Sequence, residues 1–351
     1  MGGRRCRKCG APAVINMRQH KLALCGEHYT AWIVEQTERF IKKYKMFTRD
    51  ERVLVAVSGG KDSLALWDVL LELGYQADAL YLGLGIQGEI GYSSRSLEAV
   101  QAFAERHPQS RLHVLNVDET YGESIPEVAQ RTRRGRGKPC SVCGLIKRHE
   151  MNRIAHELGY PVLATGHNLD DEAAVLFQNT LHWQVGYLAR QYPVLPEGNG
   201  FARKVKPFCR FYERETAAYA LIKGIDYVYD ECPFAEGATT IYYKELLNQL
   251  EEQRPGAKLH FYLSFLRAKE KEGLLANWEE EQVELHPCEQ CGQPTTAPGL
   301  CSFCRLWPEE VLQRPPSAFI PLTLVGPGSP EAGVASAPEP EPELEPEPVG
   351  D

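Results

Sequence analysis

The sequence predicts an α/β protein with a doubly wound parallel sheet that is flanked by two small zinc-binding modules. Short apolar runs rich in β-branched residues alternate with stretches of helical periodicity, a glycine-rich turn follows the first such run, and paired cysteines lie near both ends of the chain. Strands that alternate with helices form parallel pairs through right-handed crossovers. We therefore expect one large central domain between two cysteine-rich modules.

The order of the predicted elements defines this central domain. Apolar and aromatic residues at helical spacing between Ile33 and Phe47 predict a connecting helix, and a buried strand follows at 52–58. The chain then continues with a helix at 61–73, a strand at 77–84, a helix at 93–106, a strand at 111–117, a helix at 145–158, a strand at 161–166, a helix at 170–181, a strand at 202–205 and helices at 213–223, 239–250 and 259–275. The predicted boundaries are 1–30 for the N-terminal module, 31–280 for the central domain, 281–310 for the C-terminal module and 311–351 for a disordered tail rich in proline and glutamate.

The tail differs in composition from the rest of the chain. From Gly328 onwards it carries seven acidic residues and no basic one, and it is rich in proline and alanine. Such a segment cannot bury a core, so we expect it to be disordered. It also accounts for nearly all of the net charge of −8, so the body of the protein is compatible with a nucleic-acid partner. The densest basic run, which is either a phosphate-binding loop or a solvated one, consists of Arg131, Arg133, Arg134, Arg136 and Lys138.

Composition also bears on location and on the role of the cysteines. No apolar run is long enough to span a membrane, and the N-terminus has cysteines and charges where a secretory signal would have an apolar stretch. We expect a cytoplasmic protein with no membrane partner. In such a chain, eleven cysteines indicate metal binding or catalysis rather than disulfide bonds.

A glycine-rich loop is the strongest functional signal in the sequence. It reads Ser58-Gly59-Gly60-Lys61-Asp62-Ser63, directly after the first strand of the central domain and at the start of a helix. Ligands of open α/β sheets bind beyond the carboxyl ends of the strands. The two glycines allow a sharp turn close to a ligand, and the amides at a helix N-terminus suit an anion. The pattern therefore predicts a phosphate-binding loop rather than an ordinary glycine turn.

A second segment has the same placement between a strand and a helix. It reads Thr165-Gly166-His167-Asn168-Leu169-Asp170-Asp171-Glu172-Ala173. Because both segments follow strands of one sheet, we expect them to share a nucleotide cleft. Asp170 and Asp171 would orient magnesium or the nucleotide, or else cap the helix and stabilise its dipole.

Both segments resemble those of a known superfamily. The first resembles the PP-loop of the ATP pyrophosphatases, which share the adenine nucleotide alpha-hydrolase-like fold, adenylate a carbonyl oxygen and release pyrophosphate. The second resembles the Gly-His-Asn-x-Asp-Asp segment of PP-loop tRNA thiolases. The resemblance implies ATP and magnesium as cofactors, catalytic roles for Lys61 and Asp171, and a nucleotide site formed by Ala56, Val57, Ser58, Gly59, Gly60, Lys61, Asp62, Ser63, Gly83, Lys147, Gly166 and Asp171. A solvent-facing helix position is the alternative for Lys147.

Seven cysteines and one histidine form two sets with metal-ligand spacing, one near each end of the chain. Three cysteines and a histidine have the spacing of a tetrahedral zinc site near the N-terminus, and four cysteines have it near the C-terminus. The two sets are Cys6, Cys9, Cys25 and His28, and Cys288, Cys291, Cys301 and Cys304. We expect two zinc ions that stabilise modules too small to fold on apolar burial alone.

Three further cysteines have a different pattern. Cys140 and Cys143 form a Cys-x2-Cys pair after the basic run, and Cys232 precedes a proline. The pair alone could be a redox dithiol or half of a zinc site. Together with Cys232 it resembles the 4Fe-4S site of the TtuA-type tRNA 2-thiouridine synthetases, in which three thiolates leave one iron open. The alternative is that Cys140 or Cys232 acts directly through a persulfide or disulfide. Cys209 has no partner by spacing and is interpreted as a small buried hydrophobe.

The resemblance implies an ATP-dependent tRNA sulfurtransferase. Such an enzyme adenylates the C2 carbonyl of a tRNA uridine and replaces its oxygen with sulfur, here at 5-methyluridine 54. The implied partners are tRNA, a ubiquitin-like sulfur carrier with a C-terminal thiocarboxylate, and a second copy of the chain. The alternatives are thiolation of the wobble uridine at position 34, a non-thiolating PP-loop ligase, and a zinc-ribbon adaptor that only binds tRNA.

Overall fold

The computed structural model describes residues 4–88, 91–198, 200–235, 237, 239–276, 285–312 and 323–325. Its strands are β1 (Ile15–Met17), β2 (Leu22–Leu24), β3 (Val53–Val57), β4 (Ala77–Gly83), β5 (Leu112–Asn116), β6 (Val162–Thr165), β7 (Val194–Leu195), β8 (Arg203–Val205), β9 (His286–Pro287), β10 (Pro294–Thr295) and β11 (Thr323–Val325). Its helices are α1 (Gly26–Lys43), α2 (Lys61–Glu72), α3 (Tyr92–Glu105), α4 (Val117–Tyr121), α5 (Ile125–Arg131), α6 (Pro139–Glu157), α7 (Leu169–Leu181), α8 (Val185–Arg190), α9 (Glu213–Lys223), α10 (Thr239–Gln253), α11 (Ala257–Lys271) and α12 (Glu309–Leu312). None of these helices is long and apolar enough to cross a membrane.

The central sheet has the strand order β11-β5-β4-β3-β6-β8-β7. From β5 to β8 all neighbours are parallel, which confirms the mostly parallel sheet predicted from the sequence. The edge strands β11 and β7 are antiparallel to their neighbours, so the sheet is not parallel throughout. At one edge, β7 and β8 are joined by a short connection, and an antiparallel pair needs no crossover helix.

Alternate residues of the inner strands face two separate cores. Val53, Val55 and Val57 of β3 belong to a core that includes residues of α1, α2, α3, α7 and α9. Leu54, between them, belongs to a second core with residues of α5 and α6. Because both faces of the sheet are covered, the strands read as continuous apolar runs in the sequence.

Strand register brings the loops of interest to one edge. Val57 is opposite Tyr81 of β4, and Ala56 is opposite Thr165 of β6. The carboxyl ends of these three parallel strands therefore lie side by side, as expected for the ligand-binding edge of such a sheet.

The structure differs from the prediction between β5 and β6. The helix predicted at 145–158 begins at Pro139, so Cys140 and Cys143 lie inside α6 rather than before it. Proline is favourable in the first helical turn, where its missing N–H needs no partner. The short helices α4 and α5 were not predicted, although Ser124 and Glu127 form a capping box that marks the start of α5.

The predicted tail is also partly structured. Thr323–Val325 pairs with β5 in antiparallel register, which contradicts the expectation of disorder for this short part of 311–351. Residues 313–322 and 326–351, including the acidic segment from Gly328, lie outside the described residues.

Candidate active site

The glycine-rich loop forms a compact turn between β3 and α2. Gly59 has φ of +77°, and a Cβ atom there would lie 2.7 Å from the carbonyl oxygen of Ser96. The backbone N–H of Ser58 donates to the hydroxyl of Ser63 over 3.1 Å, and that hydroxyl donates to the carbonyl oxygen of Gly60 over 3.0 Å. Both the conformation and the close approach of α3 require glycine at position 59.

The second segment packs directly against this loop. A Cβ atom on Gly166 would lie 2.9 Å from the backbone of Asp62 and from Cα of Ser63. The amide of Asn168 donates to the Asp62 carboxylate over 3.2 Å. The two segments that the sequence singled out therefore share one site, with glycine needed where they touch.

A cavity of about 540 Å³ opens beside these two segments. It lies at the carboxyl ends of β3, β4 and β6 and against the first turns of α6. The predicted site residues that line it are Ala56, Val57, Ser58, Gly60, Asp62, Ser63, Cys143, Lys147, Gly166, Asp171 and Cys232. Most of the predicted nucleotide site and two of the three predicted cluster cysteines thus meet at one cavity.

Lys61 does not line this cavity. Its ammonium group lies 2.7 Å from the carboxylate of Glu213, at the start of α9, and 3.1 Å from that of Asp62. Burial lowers the pKa of Lys61, but the two carboxylates outweigh burial and raise it, so the side chain remains charged. Lys61 therefore ties the loop to α9 in this structure instead of facing a ligand.

Three other predicted residues also lie away from the cavity lining. Gly59 is inside the turn, and a Cβ atom on Gly83 would lie 2.1 Å from the side-chain oxygen of Asn116, so the contact between β4 and β5 requires this glycine. The exposed thiol of Cys140 donates to the carbonyl oxygen of Phe234 over 3.3 Å.

The two aspartates of the second segment have different surroundings. Asp171 lines the cavity, accepts the N–H of Asn168 over 3.0 Å and lies 2.6 Å from the ammonium of Lys244. Asp170 is buried, accepts the N–H of Glu213 over 3.0 Å and is paired with Lys258. Asp171 is thus the member of the pair that can reach a ligand, and it also completes the capping box of α7, whereas Asp170 accepts an N–H at the start of α9.

Cys143 and Cys232 face the same cavity, with Cys140 one helical turn before Cys143. Burial raises the pKa of the Cys143 thiol, and the charges of Cys232 and Cys140 raise it further, whereas Lys147 opposes the shift. The charges of Cys140 and Cys232 therefore both act on the Cys143 thiol. A bound cation or metal cluster would relieve the repulsion between their thiolate forms.

The donor set fits an iron–sulfur cluster. Among the described residues, the groups of three or more ligand atoms that all lie within 4.8 Å of one another are the two terminal sets. Cys140, Cys143 and Cys232 are therefore spaced too widely for a single ion. A cubane cluster is larger than an ion and takes soft thiolate ligands, so it suits two thiols at one cavity with a third thiol one helical turn away.

Sequence reasoning missed two cations of the cavity. Arg148 and Lys204 line it together with Lys147, and within the described chain no carboxylate pairs with any of the three. Burial lowers the pKa of Lys204, and the positive charges of Arg148 and Lys206 add to this effect. Two adjacent basic residues inside a predicted strand, Arg203 and Lys204, were the available signal. Unpaired, partly buried cations are placed to receive an anion.

The basic run before α6 separates into two parts. Arg131 is bound to Glu123 and donates to the carbonyl oxygen of Leu306 over 2.7 Å, so it holds α5 to the C-terminal module. The remaining four cations are exposed and form no ion pair within the described chain; they are Arg133, Arg134, Arg136 and Lys138.

Both terminal cysteine sets converge as predicted. In the N-terminal set, Nδ1 of His28 lies 3.2 Å from Sγ of Cys25 and 3.7 Å from Sγ of Cys6, and Cys9 lies 3.7 Å from Cys25. The C-terminal set has sulfur–sulfur distances of 3.8 Å for two of its pairs, Cys288 with Cys304 and Cys291 with Cys301. These sets could each hold one metal ion, and their ligand types fit zinc.

A histidine of α6 joins the C-terminal set. Nε2 of His149 lies 3.4 Å from Sγ of Cys291, and its Nδ1 lies 2.8 Å from the carboxylate of the buried Glu150. The ring is stacked on Phe303 with centroids 3.6 Å apart. Although burial lowers the pKa of His149, its contacts with Cys291 and Glu150 raise it, so the ring can donate to both.

Comparison with known proteins identifies relatives along most of the chain. The family described as 2-thiouridine synthetase TtuA, N-terminal LIM domain, matches residues 5–30, and the family described as tRNA methyl transferase HUP domain matches residues 51–182. The tRNA-5-methyluridine(54) 2-sulfurtransferase of Thermus thermophilus is 52% identical over 323 residues, which cover 88% of this chain and 97% of that protein. The protein of the same name from Thermotoga maritima is 43% identical over 305 residues, which cover 86% and 95%.

A solved structure has the same fold. The U34-tRNA thiolase NcsA from Methanococcus maripaludis, solved with its 4Fe-4S cluster, superposes with a TM-score of 0.69 at 23% identity. The match covers 87% of this chain and 96% of that chain. It supports the α/β architecture with its mostly parallel sheet.

Proposed function

The chain belongs to the family of tRNA-5-methyluridine(54) 2-sulfurtransferases, and from this premise we propose that it replaces the C2 oxygen of 5-methyluridine 54 in tRNA with sulfur after ATP has activated that oxygen. It is a tRNA sulfurtransferase. One observation carries the detailed proposal: the phosphate loop and two thiols, Cys143 and Cys232, line the same cavity. Activation and sulfur insertion can then occur on one base without its release.

ATP would bind with its phosphates at the start of α2. The backbone amides of Gly60 and Ser63 lie at this helix N-terminus, where the helix dipole favours an anion. The adenosine would lie against the carboxyl ends of β3 and β4, where Val57 and Leu82 provide apolar lining. We further propose that magnesium accompanies ATP and that Asp171 holds it, because a carboxylate at the cavity is a suitable hard ligand.

The first step would be adenylation of the base. The C2 carbonyl oxygen attacks the α-phosphorus, an oxygen–phosphorus bond forms, and the bond to the β-phosphate oxygen breaks to release pyrophosphate. Lys147, Arg148 and Lys204 lie unpaired at the cavity and would stabilise the charge that builds up on the leaving group. Lys61 would act indirectly, by holding the loop against Glu213.

The second step would exchange oxygen for sulfur. Sulfide attacks C2 of the adenylated base, and AMP leaves with the original oxygen. Cys140, Cys143 and Cys232 would hold a 4Fe-4S cluster, whose open iron supplies a binding position for sulfide. Cys143 and Tyr92 are half-buried and line this end of the cavity, where they would limit access of water to the adenylated base.

Several partners remain part of the proposal. We propose that the two terminal sets hold zinc, that sulfur comes from a ubiquitin-like carrier with a C-terminal thiocarboxylate, and that the enzyme is a cytoplasmic homodimer. The exposed cations at 133–138 directly precede the first cluster cysteine along the chain, so they would contact tRNA phosphates near the active site. The target base must leave its stack to reach the cavity.

Mass spectrometry of tRNA nucleosides tests this function directly. Protein purified and reconstituted anaerobically with iron and sulfide should convert 5-methyluridine to its 2-thio form in the presence of ATP, sulfide and tRNA. Cys143→Ser should abolish the product but keep tRNA-dependent pyrophosphate release, whereas Gly59→Ala should abolish both. Cys209→Ala is the matched control, because this buried thiol belongs to the core on the other face of the sheet.

Two results would contradict the proposal. Full thiolation by Cys143→Ser would exclude the three-thiol site. Sulfur found at position 34 and not at position 54 would assign the enzyme to the wobble uridine instead.

A further inference from the structure

The chain between α9 and α10 forms an outer wall of the cavity. The backbone N–H of Val228 donates to the carbonyl oxygen of Gly59 over 2.9 Å. Two residues later, the carboxylate of Asp230 lies 2.6 Å from the guanidinium of Arg95 on α3. Cys232, again two residues on, lines the cavity itself. Residues 228–232 are thus fixed to the phosphate loop on one side and to α3 on the other.

Two tyrosines of this wall form an aromatic pair. The ring centroids of Tyr227 and Tyr229 are 4.3 Å apart, with 37° between their planes. Tyr227 is half-buried against the core, whereas Tyr229 is 69% exposed. The pair is close to the phosphate loop, because Lys61 and Asp62 both contribute to the pKa of Tyr227, which burial raises most.

The position of Tyr229 limits what its ring can contact. Tyr229 does not belong to the cavity lining, although its neighbours in the wall do reach the loop and the cavity. We therefore do not expect the Tyr229 ring to contact a base that reacts inside the cavity or the adenine of ATP. A ring held at a wall beside the cavity, and backed by a second ring, presents a fixed and accessible face.

We propose that Tyr229, backed by Tyr227, stacks on the tRNA base next to the target uridine. The inference rests on the proposed function. When the target base leaves its stack to enter the cavity, the neighbouring base loses a stacking partner. Aromatic side chains are the groups that proteins use to stack on such unpaired bases. Tyr229 would replace the missing base and hold the opened tRNA at the cavity.

Tyr229→Ala measures the contribution of the ring. We expect tRNA binding to weaken by roughly 5- to 150-fold, the loss that follows removal of one base–aromatic stack. Tyr229→Phe keeps the ring and should bind tRNA like the unchanged protein. ATP binding, measured by calorimetry without tRNA, should be the same in all three proteins.

Tyr187→Ala is the matched control. Tyr187 is 60% exposed, but it lies on α8, beyond the C-terminal end of α7. Since α7 has 13 residues and starts at the cavity, its far end is about 20 Å away. This variant should bind tRNA normally, and equal thermal melting points should show that none of the variants is misfolded.

A tRNA that lacks the neighbouring base identifies the partner. Two tRNAs are needed, each without one of the two bases that flank position 54. For one of them, we expect weaker binding to the unchanged protein and no further loss with Tyr229→Ala, as required when both changes remove the same contact. Additive losses for both tRNAs would overturn the proposal, as would equal loss in Tyr229→Phe or weaker ATP binding in Tyr229→Ala. These binding results are separate from thiolation, so failure to form the 2-thio nucleoside would instead contradict the proposed function.

Discussion

The two terminal cysteine sets have similar ligands but lie on opposite faces of the sheet. Cys6 belongs to the core that includes residues of α2 and α9, whereas Cys288, Cys301 and Cys304 belong to the core that includes residues of α5 and α6. Each set is therefore linked to a different part of the cavity. The contacts of each module indicate which step of the reaction it supports.

The N-terminal module is linked to the phosphate loop through α9. Tyr29, next to His28 of the N-terminal set, donates its hydroxyl to the carbonyl oxygen of Glu215 over 2.6 Å, and Gln19 donates to the Glu215 carboxylate over 2.6 Å. The same turn of α9 contains Glu213, which holds Lys61. This module therefore supports the part of the site that would bind and cleave ATP.

The C-terminal module contacts α6, the helix that carries Cys140 and Cys143. His149 contacts Cys291 and lies six residues after Cys143 and two after Lys147 on the same helix. Three of the four cysteines of the C-terminal module are buried, and the ring of Trp307 is stacked on that of Tyr121 with centroids 4.5 Å apart. Two modules with similar ligand sets thus contact separate halves of one cavity, so disturbing each should have a different consequence.

Replacing a cysteine of a terminal set should lower the free energy of unfolding more than any other change. The decrease should be larger for the C-terminal set. Cys291→Ser should remove one zinc ion and lower the free energy of unfolding by more than about 4 kcal/mol, the range reached when a structural metal is lost. Less iron should be retained after reconstitution, while ATP affinity should change little. Metal analysis, thermal unfolding and calorimetry measure these quantities.

Cys25→Ser is the counterpart on the other face. We expect loss of the other zinc ion, a smaller loss of stability and weaker ATP binding with normal iron content. The loss of stability is smaller because one of the three cysteines of this set is buried, compared with three of the four in the C-terminal set. If both variants lost iron and ATP affinity equally, the two modules would support the fold in general and not separate steps.

Changing His149 should have an intermediate effect. His149→Phe keeps the stack on Phe303 but leaves Glu150 without one of its partners and Cys291 without a donor. We expect a loss of roughly 1–3 kcal/mol, the cost of an unsatisfied buried polar group. Iron content after reconstitution should fall while ATP affinity stays the same; unchanged iron content would break the proposed link between the C-terminal module and α6.

Local patterns made much of this architecture predictable. The phosphate loop and the terminal cysteine sets depend on residues close in sequence, and their spacing carries the chemistry. The neighbour of Lys61 could not be predicted, because Glu213 is 152 residues away and depends on how α9 packs. The difference between Asp170 and Asp171 is also tertiary, since Lys258 reaches the first and Lys244 the second.

Edge strands and unpaired charges were harder to predict for a related reason. Thr323–Val325 ends an apolar stretch at 318–325 that stands next to the proline-rich tail, and its pairing with β5 is what identifies it as a strand. Lys204 lies in a correctly predicted strand, but its role depends on the absence of a carboxylate opposite it within the described chain. Such a feature is a property of the assembled cavity and of no single segment.

The smallest expected effect belongs to Tyr29→Phe, which removes one hydroxyl and nothing else. The carbonyl oxygen of Glu215 loses one hydrogen bond, so we expect the free energy of unfolding to fall by about 1 kcal/mol. Tyr192→Phe is the matched control, because that hydroxyl donates over the same 2.6 Å to the exposed carboxylate of Glu270, where water can replace it. If the N-terminal module acts through α9, Tyr29→Phe should also weaken ATP binding, whereas Tyr192→Phe should not. A change in iron content with unchanged ATP affinity would instead link the N-terminal module to Cys140, Cys143 and Cys232, and not to the phosphate loop.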